Sequence, residues 1–224
     1  PRGVSLRVAG LFVLSGTAAL ALETACFRAC GLLFGATHAA AGAVLASFMG
    51  GLALGAALGA RFAPALTPSV TRLRPARAYA LCELVVGAWA LALPAALPRA
   101  QELASTVGPG GRIALAFALL AQGTVAMGAT TPLLAQASVE SRAALRTGLA
   151  RLYSANLFGG ALGALLAGFT LLPSLGLAHT LHAGGALATL TGALAWALLR
   201  ESEATPESEA SEGETRVASQ VVTR

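Results

Sequence analysis

The chain alternates long apolar runs with short polar connections, and no run alternates with period two. A barrel is therefore disfavoured and helices are expected. Six apolar segments follow one another, at 8–34, 39–63, 77–98, 112–137, 149–172 and 175–199. About 20 consecutive apolar residues cross a bilayer as a helix, so each segment suffices for one crossing. The pattern predicts an all-α fold, a polytopic membrane bundle of six transmembrane helices over residues 1–200. Residues 201–224 are expected to form an acidic, disordered cytoplasmic tail or linker, because Glu201 to Glu214 holds six glutamates and no apolar run.

Composition sharpens this picture. The 224 residues are 56% hydrophobic and 11% charged, where a soluble domain carries about 25% charged residues. All 15 positive charges are arginine and all 10 negative charges are glutamate. Without lysine or aspartate, phosphate-loop lysines, Schiff-base lysines and any aspartate base or metal ligand are excluded. No motif calls for a cofactor.

The net charge of +5 invites a nucleic-acid reading, but the arginines sit in connections beside apolar spans, which the positive-inside tendency explains better. Nucleic acid is set aside as a partner, and the lipid bilayer takes its place. Cys26, Cys30 and Cys82 all fall inside apolar segments, so no disulfide framework is expected. The first segment is too long, and too polar at its end, for a cleaved signal peptide.

Arginine sidedness sets the orientation. Arg2, Arg7, Arg61, Arg72, Arg74, Arg77, Arg142, Arg146, Arg151, Arg200, Arg216 and Arg224 fall on one side of the membrane. Only Arg99 and Arg112 fall on the other, and Arg28 lies within a span. Both termini are therefore placed in the cytoplasm.

Few polar groups lie inside the spans, and their depths coincide. With each span's midpoint at the bilayer centre and about 1.5 Å of rise per residue, Glu83 lies roughly 7 Å to the cytoplasmic side. Thr130, Thr131 and Asn156 fall at about the same depth, and Tyr153 lies one turn nearer the cytoplasm. Pro132 releases a backbone carbonyl near Gly128 that another polar group can satisfy. These spacings predict a polar pocket, or alternatively a set of interhelical hydrogen bonds that hold the bundle.

Glu23 lies just beyond the centre, toward the outside. A charge at such depth costs roughly 2.5–3.5 kcal/mol on insertion scales, which makes it a candidate cation or proton site or half of a structural ion pair. Arg28 is five positions on, about 140° around the helix, and faces Glu23 poorly. It is expected to pair with another helix, to gate the outer end, or to snorkel to the headgroups. Gly51, Gly55 and Gly59 at four-residue spacing, and Gly159 with Gly163, form small-residue faces. Such faces let helix backbones approach closely, either as static packing or as sliding surfaces. Cys26, Cys30, His38, His179 and His182 lie in the outer half, but no metal-ligand spacing joins them, and no metal is expected.

The stretches LSGTAALALETACFR (Leu14–Arg28), SFMGGLALGAALGARFA (Ser47–Ala63), MGATTPLLA (Met127–Ala135) and RLYSANLFGGALGALLAGFTLLPSLGL (Arg151–Leu177) resemble the membrane region of the bacterial fused major-facilitator-like/spermidine synthase family. The likeness runs through all six segments in order. Cys26 departs from it, standing where that family usually has tryptophan. The resemblance implies a major-facilitator-half-like bundle in the bacterial inner membrane, in the neighbourhood of polyamine metabolism. It also implies a cytoplasmic aminopropyltransferase domain after the membrane region. The residues after Arg200 hold neither a strand-linked G-x-G loop nor any aspartate, so this stretch is not expected to be catalytic.

Two functions follow as expectations. One is a membrane domain that handles or transports a small cationic, polyamine-like solute through Glu23, Glu83, Thr130, Thr131, Asn156 and Tyr153. It would be completed by a second helical half or a homo-oligomer. The other is a non-catalytic anchor for a cytoplasmic aminopropyltransferase or another membrane complex. A membrane-embedded enzyme is disfavoured, since no nucleophile–base pair or metal motif stands out.

Overall fold

The structure, a computed structural model, describes residues 6–35, 38–62, 75–138 and 142–222. Arg2, Arg72, Arg74 and Arg224, used above for orientation, lie outside the described residues. Six helices carry the chain: α1 (Leu6–Phe34), α2 (His38–Phe62), α3 (Pro75–Thr106), α4 (Pro109–Ser138), α5 (Arg142–Leu166) and α6 (Leu172–Val222). A π-helical turn, Ala167–Leu171, joins the last two. Among the described residues there is no strand.

The boundaries follow from local chemistry. Gly35, at φ 85°, closes α1 in the left-handed conformation that costs glycine least. Pro109 opens α4, where a missing N–H does no harm. Segment three was expected to end near residue 98, but α3 continues through Pro94 and Pro98 to Thr106. The apolar pattern marks where a helix leaves the hydrocarbon, while the helix itself continues into polar sequence. For the same reason α5 begins at Arg142, ahead of its apolar run.

Between α5 and α6 the chain loosens and then breaks. Pro173 has no N–H for the preceding turn, and the π-helical turn lies directly before it. Gly176 then takes φ 77° and ψ 177°, a backbone conformation essentially reserved for glycine. From there α6 runs on as helix to Val222. Residues 201–222 are thus helical where the sequence reading expects disorder. The lack of an apolar run argues against a packed face and leaves the backbone conformation open.

Contacts between glycines and neighbouring backbones give the chain directions. Gly159 sits against Val13 and Gly163 against Thr17, so α5 runs parallel to α1. Gly51 meets Thr124, Gly55 meets Val125 and Gly59 meets Pro132, so α2 and α4 are parallel. Gly87 meets Gly185 while Gly192 meets Ala80, so α6 runs against α3. The hairpin of α3 and α4 is tied by Arg112 Nε to the Ala104 carbonyl at 3.0 Å and Trp89 Nε1 to the Leu119 carbonyl at 2.9 Å.

Two core clusters mark the ends of the bundle. One joins Val8, Phe12, Tyr79, Leu134, Leu152 and Ala195. The other joins Leu22, Cys26, Phe48, Val86, Trp89, Leu120 and Leu181. The first parts of α1, α3 and the stretch of α5 around Leu152 therefore lie with the end of α4 and the middle of α6 around Ala195.

Much of the outer surface is apolar. Leu54, Val85, Leu157, Phe158 and Leu165 are exposed, and Phe169 reaches 81%. A water-soluble chain would bury such side chains. Among the described residues, five helices are long and apolar enough to cross a membrane, the last running Gly148–Leu198 through the break. This is an all-helical, multi-pass membrane architecture with lipid as its surroundings.

Candidate functional site

Helical spacing decides which polar groups meet. On α1, Ser15, Ala19 and Glu23 recur every four residues and share one face. On α3, Tyr79 and Glu83 share a face in the same way. Glycines then bring the helices close: a Cβ at Gly16 would overlap the Asn156 carbonyl, and Gly192 lies against Glu83.

These faces enclose a cavity of about 310 Å³. Its walls are Ser15, Ala18, Ala19, Leu20 and Glu23 of α1; Phe48, Leu52 and Ala56 of α2; and Glu83 and Val86 of α3. Met127, Gly128, Thr130 and Thr131 of α4 and Asn156 of α5 complete it. Sequence spacing treats Glu23 as a site apart from the layer of Glu83, Thr130, Thr131 and Asn156. The fold opens all five onto one space, because the face of α1 that carries Glu23 also carries Ser15.

The two carboxylates stand in different surroundings. Glu83 is 2% exposed, and its Oε1 accepts a hydrogen bond from Ser15 Oγ at 2.5 Å. The Tyr79 hydroxyl lies beside both Ser15 and Glu83 yet is buried without a hydrogen bond of good geometry. Glu23 is half-buried on the cavity wall. The Thr130 hydroxyl is committed to the Met127 carbonyl at 2.6 Å, whereas Thr131 is exposed. Gly128, whose carbonyl Pro132 releases from the helix ladder, also lines the cavity.

Other candidates lie elsewhere. Tyr153 is exposed and borders a separate groove with Phe12, Thr131, Ala135, Leu149, Ala150 and Leu152. Arg28 is exposed on α1 and does not line the cavity. Gly51, Gly55, Gly59, Gly159 and Gly163 all press against neighbouring backbone or side chains, which makes them packing contacts in this structure. Cys26 and Cys30 are buried in the core, and His179 Nδ1 lies 3.0 Å from the Leu175 carbonyl. Among the described residues, no group of three or more His, Cys, Asp or Glu side chains could hold a metal ion.

Ser15 and Tyr79 are absent from the sequence-derived set. Tyr79 carries a usable signal, one turn before Glu83 on the same helix. Ser15 carries none, since its partner lies 68 positions away.

Chemically, the cavity presents two carboxylates, hydroxyls and an amide on otherwise apolar walls. Among the described residues, no arginine or histidine lines it. Such a space has a place for a positive charge and little for an anion. Neither the family models, nor the curated proteins, nor the solved structures contain a match to this chain.

Proposed function

We propose that this chain is a membrane domain that binds a small organic cation in the cavity between Glu23 and Glu83, as one step in its passage across the bilayer. The single observation that carries this reading is the pair of carboxylates within apolar helices on one cavity, with no basic side chain among the described residues of its walls. Apolar walls from Leu20, Phe48, Leu52, Val86 and Met127 suit an alkylammonium better than a bare metal ion, which needs a shell of oxygens. The resemblance to the fused spermidine synthase family makes polyamine-like solutes the first to try.

We read the topology as six crossings with both termini in the cytoplasm of a bacterial inner membrane. Supporting this are the alternating chain directions and the position of Arg7, Arg77 and Arg151 beside the cluster of Val8, Tyr79 and Leu152. Six helices correspond to half of a major-facilitator fold, so a second half or a second copy is the expected partner.

The test is uptake and efflux of labelled 1,4-diaminobutane and spermidine in proteoliposomes. Flux that falls at least tenfold in Glu23→Gln supports the reading. Absence of both flux and equilibrium binding of these amines overturns it.

The exposed arginines Arg7, Arg61 and Arg151 favour a second role, an anchor for a cytoplasmic enzyme. Co-purification of a soluble partner at fixed stoichiometry, abolished by Arg61→Ser with Arg151→Ser, is its test.

A further inference from the structure

Glu83 and Glu23 share the cavity, but their surroundings differ in kind. Glu23 stands half-buried on the wall. Glu83 is 2% exposed and is held by one hydroxyl, Ser15 Oγ at 2.5 Å. A second hydroxyl, on the 1% exposed Tyr79, lies beside it without a hydrogen bond of good geometry. The titratable groups near Glu83 are Tyr79 and Cys82 on its own helix and Glu23 across the cavity. Facing it, α4 contributes Thr130 and Thr131, α5 Asn156, α6 Gly192, and α2 only apolar walls. None of these carries positive charge.

An ionised carboxylate without a counter-charge in so dry a place is costly, and the group neutralises instead. Only two partners can neutralise it there: a proton, or a cation that enters the cavity. The same oxygens cannot hold both.

We propose that Glu83 is an exchange site, occupied by a proton when the cavity is empty and by the solute's ammonium group when it is full. This rests on the reading of the cavity as a cation site. The step balances: the carboxylic acid loses its proton to water as one alkylammonium charge takes its place, so the local charge is unchanged. Ser15 and Tyr79 act as positioning residues. Their hydroxyls can each turn to donate to the bare carboxylate, while Ser15 can also accept from the acid, so both states keep hydrogen bonds. Glu23, half-buried on the same cavity wall, draws the cation in and does not exchange.

Two measurements on the full chain in lipid nanodiscs test this. The first is infrared difference spectroscopy of the carboxylic-acid C=O stretch. With the cavity empty, a band is expected that is missing in Glu83→Gln and persists in Glu23→Gln. It is shifted in Ser15→Ala, where a hydrogen bond is lost, and it disappears when 1,4-diaminobutane is added. The second is proton release on binding 1,4-diaminobutane, read calorimetrically in buffers of different ionisation enthalpy. About one proton per bound molecule is expected for the native chain and none for Glu83→Gln. A native chain without the infrared band, or one that binds the amine with no proton release, overturns the exchange while the cation site stands. Failure to bind the amine, or methylammonium in its place, removes the cation site and the exchange with it. Retained thermal stability of Glu83→Gln separates these results from misfolding.

Discussion

Gly16 of α1 lies flush against Asn156 of α5: a Cβ at Gly16 would overlap the Asn156 backbone carbonyl and stand 2.9 Å from its Oδ1. The amide that completes the cavity is therefore set by a helix contact that only glycine permits. Two more contacts of the same kind, at Gly159 and Gly163, extend this seam along α1. Lipid gives no hydrophobic push between helices, so close backbone approach carries the association.

Gly16→Ala is accordingly expected to destabilise the domain by about 1–3 kcal/mol, the usual cost of overfilling a packed interface. Gly10→Ala, which meets nothing within 4 Å, serves as its control and is expected to be neutral. Thermal unfolding of both variants in detergent measures the difference. Equal stabilities would mean that α1 and α5 are not held by this seam.

The helices themselves are readable from the apolar runs, since lipid demands a continuous stretch of fixed length. Depth is readable too: equal distances from span midpoints put Glu83, Thr130, Thr131 and Asn156 in one layer, and all four line the cavity. Azimuth is less so. Tyr153, one turn before Asn156, was grouped with the site on depth alone, but it turns outward and is 59% exposed. The Ser15–Glu83 bond was invisible for a related reason, because a hydroxyl in an apolar run carries no mark of the helix it will meet.

The break at Gly176 makes a topological prediction. Within Gly148–Leu198, an unbroken helix would cross once and leave His179 deep in hydrocarbon. With α5 parallel to α1 and α6 running against α3, the chain turns back near Gly176, and on the six-crossing reading proposed above His179, which is exposed, is expected at the outer surface. In a background with Cys26, Cys30 and Cys82 changed to serine, His179→Cys is expected to react with a membrane-impermeant maleimide added to intact cells. Ala150→Cys, exposed at the other end, is expected to react only in inverted vesicles. A silent His179→Cys in both preparations would favour the single crossing.

Thr130 and Thr131 are neighbours on α4 and offer a direct comparison within the cavity wall. The Thr130 hydroxyl already donates to the Met127 carbonyl at 2.6 Å, so it has little left to give a solute except a lone pair. Its removal in Thr130→Val takes away one intrahelical bond, an effect on stability of order 0.6 kcal/mol for hydrogen bonds in membranes. Thr131 is exposed and lines both the cavity and the adjoining groove of Phe12 and Leu152. A hydroxyl there that accepts from an ammonium group contributes about 1.5–3 kcal/mol, the range for bonds to charged partners. Thr131→Val is thus expected to weaken binding of 1,4-diaminobutane by about tenfold or more without lowering stability, and Thr130→Val to leave binding nearly unchanged. Equilibrium binding to both variants decides the matter, and equal losses in the two would show that the wall of α4 senses the solute through its shape and not through the Thr131 hydroxyl.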